Sequence, residues 1–119
     1  MKILVIDDQQ ETVMLMQSIL RTHGNIEVIA ANLAQDGIDL ARDHMPDLIF
    51  MDLLLPGLDG FAATKIIKAD EHLQHIPVIA LTAASIADAN RKMREAGCDA
   101  ILTKPFTIPA IMTIIEKYI

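Results

Sequence analysis

Five short runs of mostly branched apolar residues recur along this chain with segments of helical spacing between them, and that alternation constrains the fold more than any other feature. The first run, Ile3-Leu4-Val5-Ile6, is continuously apolar, the mark of a strand buried on both faces of a parallel sheet. Residues 27–31, 48–51, 77–81 and 100–103 repeat the pattern. Between the first two runs, Val13, Met16, Ile19 and Leu20 predict a helix over about residues 10–23, with Gly24 at its C-cap. Asn32 with Gln35 makes a capping-box-like start for a helix to about His44, and Pro46 forces a break after it. Phe61, Ile66 and Ile67 supply the apolar side of a helix over about 61–69. Ser85 with Asp88 caps a helix to Ala96 that Gly97 stops, and Thr107 caps the last helix, with Pro109 in its first turn.

Strict alternation of strand and helix predicts an α/β fold, because a parallel crossover needs a helix and is right-handed. The expected architecture is a doubly wound, five-stranded parallel sheet with five helices, in a single domain over residues 1–119. That length suits one core, since domains run roughly 100–150 residues. With 52% hydrophobic residues but no Trp, one Tyr and three Phe, the core must be aliphatic. Ten Lys plus Arg against sixteen Asp plus Glu give a net charge of −6, the wrong sign for a surface that neutralises phosphates along a nucleic acid. No apolar stretch reaches the ~18 residues of a membrane span, and the N-terminal run is too short for a secretory signal, so a cytoplasmic location is expected. A lone cysteine, Cys98, fits a reducing compartment and reads as a small buried hydrophobe.

In a doubly wound sheet the functional crevice lies outside the carboxyl ends of the strands. The first run ends in Asp7-Asp8, the third in Asp52, the fourth in Thr82 and the fifth in Lys104-Pro105. Each residue alone has an ordinary reading: Asp8 as a helix cap, Asp52 as a turn residue, Thr82 as a strand end, Lys104 as a surface lysine. Their joint arrival at one sheet edge is harder to assign to chance. Three carboxylates in one crevice repel one another and favour a hard cation, and an open site of oxygen ligands suits Mg2+. Lys104 supplies a point charge and Thr82 a hydrogen-bond donor for a phosphoryl group on Asp52.

At these residues the chain resembles the receiver domain of two-component response regulators, the flavodoxin-like fold of the stand-alone chemotaxis regulator. The segments VIDDQ around Asp7-Asp8, MDLLLPGLDG around Asp52, IALTA around Thr82 and GCDAILTKPF around Lys104 carry the resemblance, which spans residues 1–119. The resemblance implies a phosphoryl-accepting signalling module that catalyses its own phosphorylation and dephosphorylation. Asp52 would be the acceptor. Asp8, Asp52 and the backbone carbonyl of Leu54 would bind Mg2+, with Asp7 acting through a metal-bound water. Thr82 and Lys104 would bind the phosphoryl group, Lys104-Pro105 would be cis, and Ala83 would be the small residue that keeps the group accessible. The implied partners are a sensor histidine kinase or histidine phosphotransfer protein, and a downstream protein on the face of helix four, strand five and helix five.

Two departures stand out. The family's aromatic on strand five, three positions before the lysine, is Ile101, so switching is expected to rest on segment 82–85 and the start of helix four. Leu54 and Ala84, two residues beyond Asp52 and Thr82, cannot orient a hydrolytic water through a side chain, so access is expected to govern dephosphorylation. A haloacid-dehalogenase-like phosphatase needs a second Asp two residues after its nucleophile, where Leu54 stands, and neither phosphate-binding glycine motif is present. His72 and His75 read as solvated loop residues, and Arg91, Lys92 and Arg94 as a solvated basic face. Charge crowding predicts that Asp7→Asn stabilises the metal-free fold by on the order of 1 kcal/mol.

Overall fold

A computed structural model describes residues 1–55, 57–83 and 89–118, without the side chains of residues 89, 90 and 93. Strands β1 (Lys2–Ile6), β2 (Glu27–Ala31), β3 (Leu48–Asp52), β4 (Val78–Ala83) and β5 (Ala100–Lys104) alternate with helices α1 (Gln10–Arg21), α2 (Ala34–His44), α3 (Gly60–Ala69), α4 (Ala89–Ala96) and α5 (Ile108–Tyr118). The strands form a parallel sheet in the order β2-β1-β3-β4-β5, the flavodoxin-like order, with its switch point between β1 and β3.

The period of two along each strand sorts the apolar residues onto two faces. Ile3, Val5, Leu48, Phe50, Ile79, Leu81 and Leu102 form one cluster with Met16, Ile19 and Leu20 of α1 and Ile111 and Ile115 of α5. Leu4, Ile6, Ile49, Met51 and Val78 form the other with Ala34, Ile38 and Ala41 of α2 and Ala63 and Ile67 of α3. The continuous apolar runs therefore arise because the central strands are covered on both sides. Each fully buried Leu, Ile or Phe contributes about 1.5–3 kcal/mol.

Element ends show where packing overrides local signals. α1 stops at Arg21 because Thr22 takes the C-cap, its hydroxyl and its N–H both donating to the Ile19 carbonyl; Gly24, at φ +102°, lies two residues further on. α2 starts at Ala34, with Leu33 as N-cap and no side-chain cap, so Asn32 is not the capping residue. The buried stripe Ala34, Gly37, Ile38 and Ala41 decides where the chain settles on the sheet. In α3 the buried residues are Gly60, Ala63, Thr64 and Ile67. Ile66 is exposed and Phe61 half-buried, so the expected apolar side of α3 is rotated. The Lys92 ammonium of α4 lies 5.3 Å over the Phe61 ring, a cation–π contact that accounts for an aromatic residue outside the core. Arg91 pairs with Glu95 at 3.4 Å, while His72 and His75 are exposed.

Gly97, at φ +91°, follows α4, whereas the expected caps Ser85 and Asp88 lie outside the described residues, as do Pro56 and Ala84. Cys98 is half-buried against the α2–α3 cluster; burial pushes its thiol up, and its Sγ donates to Thr64 Oγ1 at 3.7 Å. Thr107 caps α5 as expected, its Oγ1 accepting from Ala110 N at 3.2 Å. Thr107→Ala leaves that N–H without its side-chain partner and should cost about 1 kcal/mol, read as a lower urea midpoint at unchanged slope. An unchanged midpoint would count against the cap.

Candidate functional site

The strand alternation that builds the core also aims the polar residues beyond it. Asp52 continues the Leu48–Phe50 row of β3 and Lys104 follows Leu102 on β5, so both extend the sheet face covered by α1 and α5. Asp7 continues the Ile3–Val5 row just past β1. The order β2-β1-β3-β4-β5 sets Asp7 beside Asp52, and Lys104 reaches them from the far edge strand. Its Nζ lies 2.8 Å from Asp7 Oδ2 and 3.5 Å from Asp52 Oδ2. Thr82, on the opposite face by the same alternation, is buried, and its hydroxyl donates to the Ala83 carbonyl at 3.2 Å. Ile101 shares that face, since Ala80 pairs with Ile101 and Thr82 with Thr103; it is half-buried.

Asp7 and Asp52 are 1% and 6% exposed, whereas Asp8 faces solvent. One carboxylate oxygen from each of Asp7, Asp8 and Asp52 lies within 4.8 Å of the others, close enough to share one cation. A cleft of about 650 Å³ between α1 and α2, lined also by Gln10, Asn32 and Asp36, opens on Asp7 and Asp8 of that cluster. The donors are all oxygens and one carboxylate is solvated, which fits a hard ion that keeps some of its water, Mg2+ in particular. Leu54 is 63% exposed, and its N–H donates to Asp52 Oδ1 at 3.0 Å.

Burial pushes the Asp52 carboxyl up to about 6, and the charge of Asp7 and a hydrogen bond to it add to the rise. The Leu54 N–H and the Lys104 ammonium pull the other way. Asp52 is therefore mostly ionised at neutral pH while remaining a stronger base than a solvated aspartate, both useful in a nucleophile.

Two residues of the site had no assigned role in the sequence. Gly60 opens α3 directly under the end of β3, where a Cβ would stand 2.1 Å from the Asp52 carbonyl oxygen. Its N–H donates to the Leu53 carbonyl, while Asp59 caps the helix by accepting from Ala62 N. An Asp immediately before a helical segment is the kind of cap that local sequence can signal. Gln9 bonds Lys104 across the site, and nothing in its local sequence signals that. The Lys104–Pro105 peptide is cis, as the resemblance implied.

A parallel sheet of this order with an acidic cluster and a lysine at its carboxyl edge defines a phosphoryl-receiver class of α/β domain. Residues 3–116 match the family model of the response regulator receiver domain, and the chain belongs to that family of two-component signalling proteins. The polar-differentiation response regulator DivK of Brucella ovis is 36% identical over 117 residues, 98% of this chain and 94% of that protein. The receiver domain of the Pseudomonas aeruginosa sensor histidine kinase PA1611, solved with a magnesium ion in its active-site cleft, is 30% identical, with a TM-score of 0.89 over 98% of this chain and 95% of that one. The Vibrio cholerae chemotaxis protein CheY4, at 21% identity, shares the fold with a TM-score of 0.91 over 99% and 98% of the two chains. No helix among the described residues is long and apolar enough to cross a membrane.

Proposed function

We propose that residues 1–119 act as one receiver domain that accepts a phosphoryl group on Asp52 from a phosphohistidine of a sensor kinase or phosphotransfer protein. The observation that carries this reading is the Lys104 ammonium bridging Asp7 and Asp52 beside the solvated Asp8. Asp52, Asp8, Asp7 and the Leu54 carbonyl would hold Mg2+, which offsets the negative charge that gathers as the phosphoryl group transfers. An ionised Asp52 oxygen attacks phosphorus, the phosphorus–nitrogen bond breaks, and the donor imidazole leaves and takes up a proton. The domain thereby catalyses its own phosphorylation, and attack of water on the acyl phosphate returns Asp52.

Lys104 neutralises part of the roughly −1.5 to −2 charge that the phosphoryl group adds, and Thr82 donates to one of its oxygens. The Thr82 hydroxyl, now on the Ala83 carbonyl, must turn to do so. That rearrangement, passed through segment 82–85 and α4 with a small repacking of Ile101, reshapes the α4–β5–α5 face for a downstream protein. Ala84 and Ser85 lie outside the described residues. The domain works in the cytoplasm, and its acidic balance leaves direct nucleic-acid binding without a basic footprint.

Mixing the protein with Mg2+ and acetyl phosphate, then mapping added mass by peptide mass spectrometry, tests the reading. One phosphoryl group is expected on the peptide holding Asp52, absent in Asp52→Asn and absent with chelator. Modification that persists in Asp52→Asn, or that needs no divalent ion, would overturn it.

A further inference from the structure

Resting on that reading of the site, we infer that Gln9 is a positioning residue that holds Lys104 on Asp7 in the unphosphorylated protein and so withholds part of its charge from Asp52. Gln9 is the N-cap residue of α1, with extended backbone at φ −90° and ψ 112°, yet its side chain does not cap the helix. Its Oε1 instead accepts from Lys104 Nζ at 3.1 Å. Thr12 Oγ1 approaches the same oxygen at 3.5 Å and steadies the side chain from the first turn of α1. The Gln9 backbone N–H donates to Asp7 Oδ1 at 2.8 Å, so one residue fastens both members of the Lys104–Asp7 pair.

An ammonium has three N–H donors. Here two are committed at 2.8 and 3.1 Å to Asp7 and Gln9, while Asp52 stands at 3.5 Å. Asp7 is a fixed partner, because its side chain is fully buried and also held by the Gln9 amide. The Gln9 carboxamide is an uncharged, solvent-exposed acceptor and is the partner that Lys104 can most readily give up. A phosphoryl group on Asp52 offers charged oxygens in competition, and these add an attraction between opposite charges that the neutral Gln9 carbonyl does not supply to the ammonium. Phosphorylation therefore draws Lys104 off Gln9, and the loss of that bond is part of the barrier.

Gln9→Met keeps the length of the side chain and removes its acceptor, whereas Gln9→Glu keeps an acceptor and gives it charge. With saturating Mg2+ and acetyl phosphate, Asp52 in Gln9→Met should phosphorylate about threefold faster than in the wild type, the worth of one exposed hydrogen bond. Gln9→Glu should be slower than the wild type. Independently of turnover, the Lys104 side-chain NMR signals should differ between wild type and Gln9→Met in the metal-free protein, and converge once Mg2+ and beryllofluoride occupy the site. A rate for Gln9→Met equal to or below the wild type's, or identical Lys104 signals in the metal-free proteins, would overturn the inference. A wild type that takes no phosphoryl group on Asp52 would overturn the reading of the site instead, and the metal-free NMR comparison would still decide whether Gln9 holds Lys104.

Discussion

Gly60→Ala is expected to destabilise the protein by about 3 kcal/mol and to disable the site, although general helix rules forecast the opposite sign. Within a helix, alanine is favoured over glycine by up to ~1 kcal/mol, and it lowers the entropy of the unfolded chain. At Gly60 those gains meet a wall of main chain. A Cβ there would lie 2.1 Å from the Asp52 oxygen, 2.7 Å from Leu53 Cα and 2.9 Å from the Asp52 carbonyl carbon, none of which is a flexible side-chain end. The first turn of α3 must move off the end of β3, which strains the hydrogen bond from Gly60 N to the Leu53 carbonyl and the one from Thr64 Oγ1 to the Gly60 carbonyl. Overpacking of a well-filled interior costs about 1–3 kcal/mol and sometimes more, and here it falls on backbone that also sets Asp52. Gly57→Ala makes the contrast: its φ is +74° but nothing lies within 4 Å of the added carbon, so the cost should be the left-handed penalty alone, roughly 1–2 kcal/mol. Urea melts of the two variants, with acetyl-phosphate labelling of the folded fraction, check the order. A Gly60→Ala protein as stable as the wild type would show that the approach of α3 to β3 is not close.

Asp52→Asn should stabilise the metal-free protein at neutral pH and lose that advantage in acid. A carboxyl raised from 3.8 to about 6 on folding is bound by protons more tightly in the native state. The folded wild type is therefore favoured below pH ~4, and this contribution drains away as pH rises through about 6. Asparagine has no charge to desolvate, so the variant's advantage should grow between pH 4 and pH 7 by on the order of 1–3 kcal/mol. Asp70, held below the usual carboxylate range chiefly by the His72 N–H and further by Arg42, slopes the other way, but it is common to both proteins and cancels. Chemical denaturation in chelator at the two pH values measures the difference, and Mg2+ at pH 7 should narrow it by binding the native wild type. A variant no more stable than wild type at pH 7 in chelator would mean that the Asp52 charge is already compensated.

Charge crowding was expected to be relieved at Asp7, yet the geometry moves that relief to Asp52. Asp7 has the ammonium at 2.8 Å and the Gln9 amide at 2.8 Å, so neutralising it would loosen a made pair rather than remove a repelled charge. Asp52 has the longer 3.5 Å approach and therefore keeps the unfavourable share.

The strands, the α/β class and the residues at the strand ends were legible in the sequence because each depends on a period of two or 3.6 residues within one short run, and such periods survive without knowledge of any partner. The unbroken apolar run from Ile3 to Ile6 already required a sheet covered on both sides, and the step past each run already brought Asp7, Asp52, Thr82 and Lys104 to one edge. Which of these residues touch was settled by tertiary structure. Lys104 and Asp7 stand 97 positions apart, and only the strand order and register bring them into contact. The same holds for Gln9, whose side chain leaves its helix for a lysine 95 positions away, and for Gly60, whose lack of a side chain matters only because α3 begins against the carbonyl of Asp52. Asn32 and Ile66 were misread for the complementary reason. A cap and an apolar stripe are local preferences of roughly 1 kcal/mol, and the burial of a whole helix face against the sheet outweighs them.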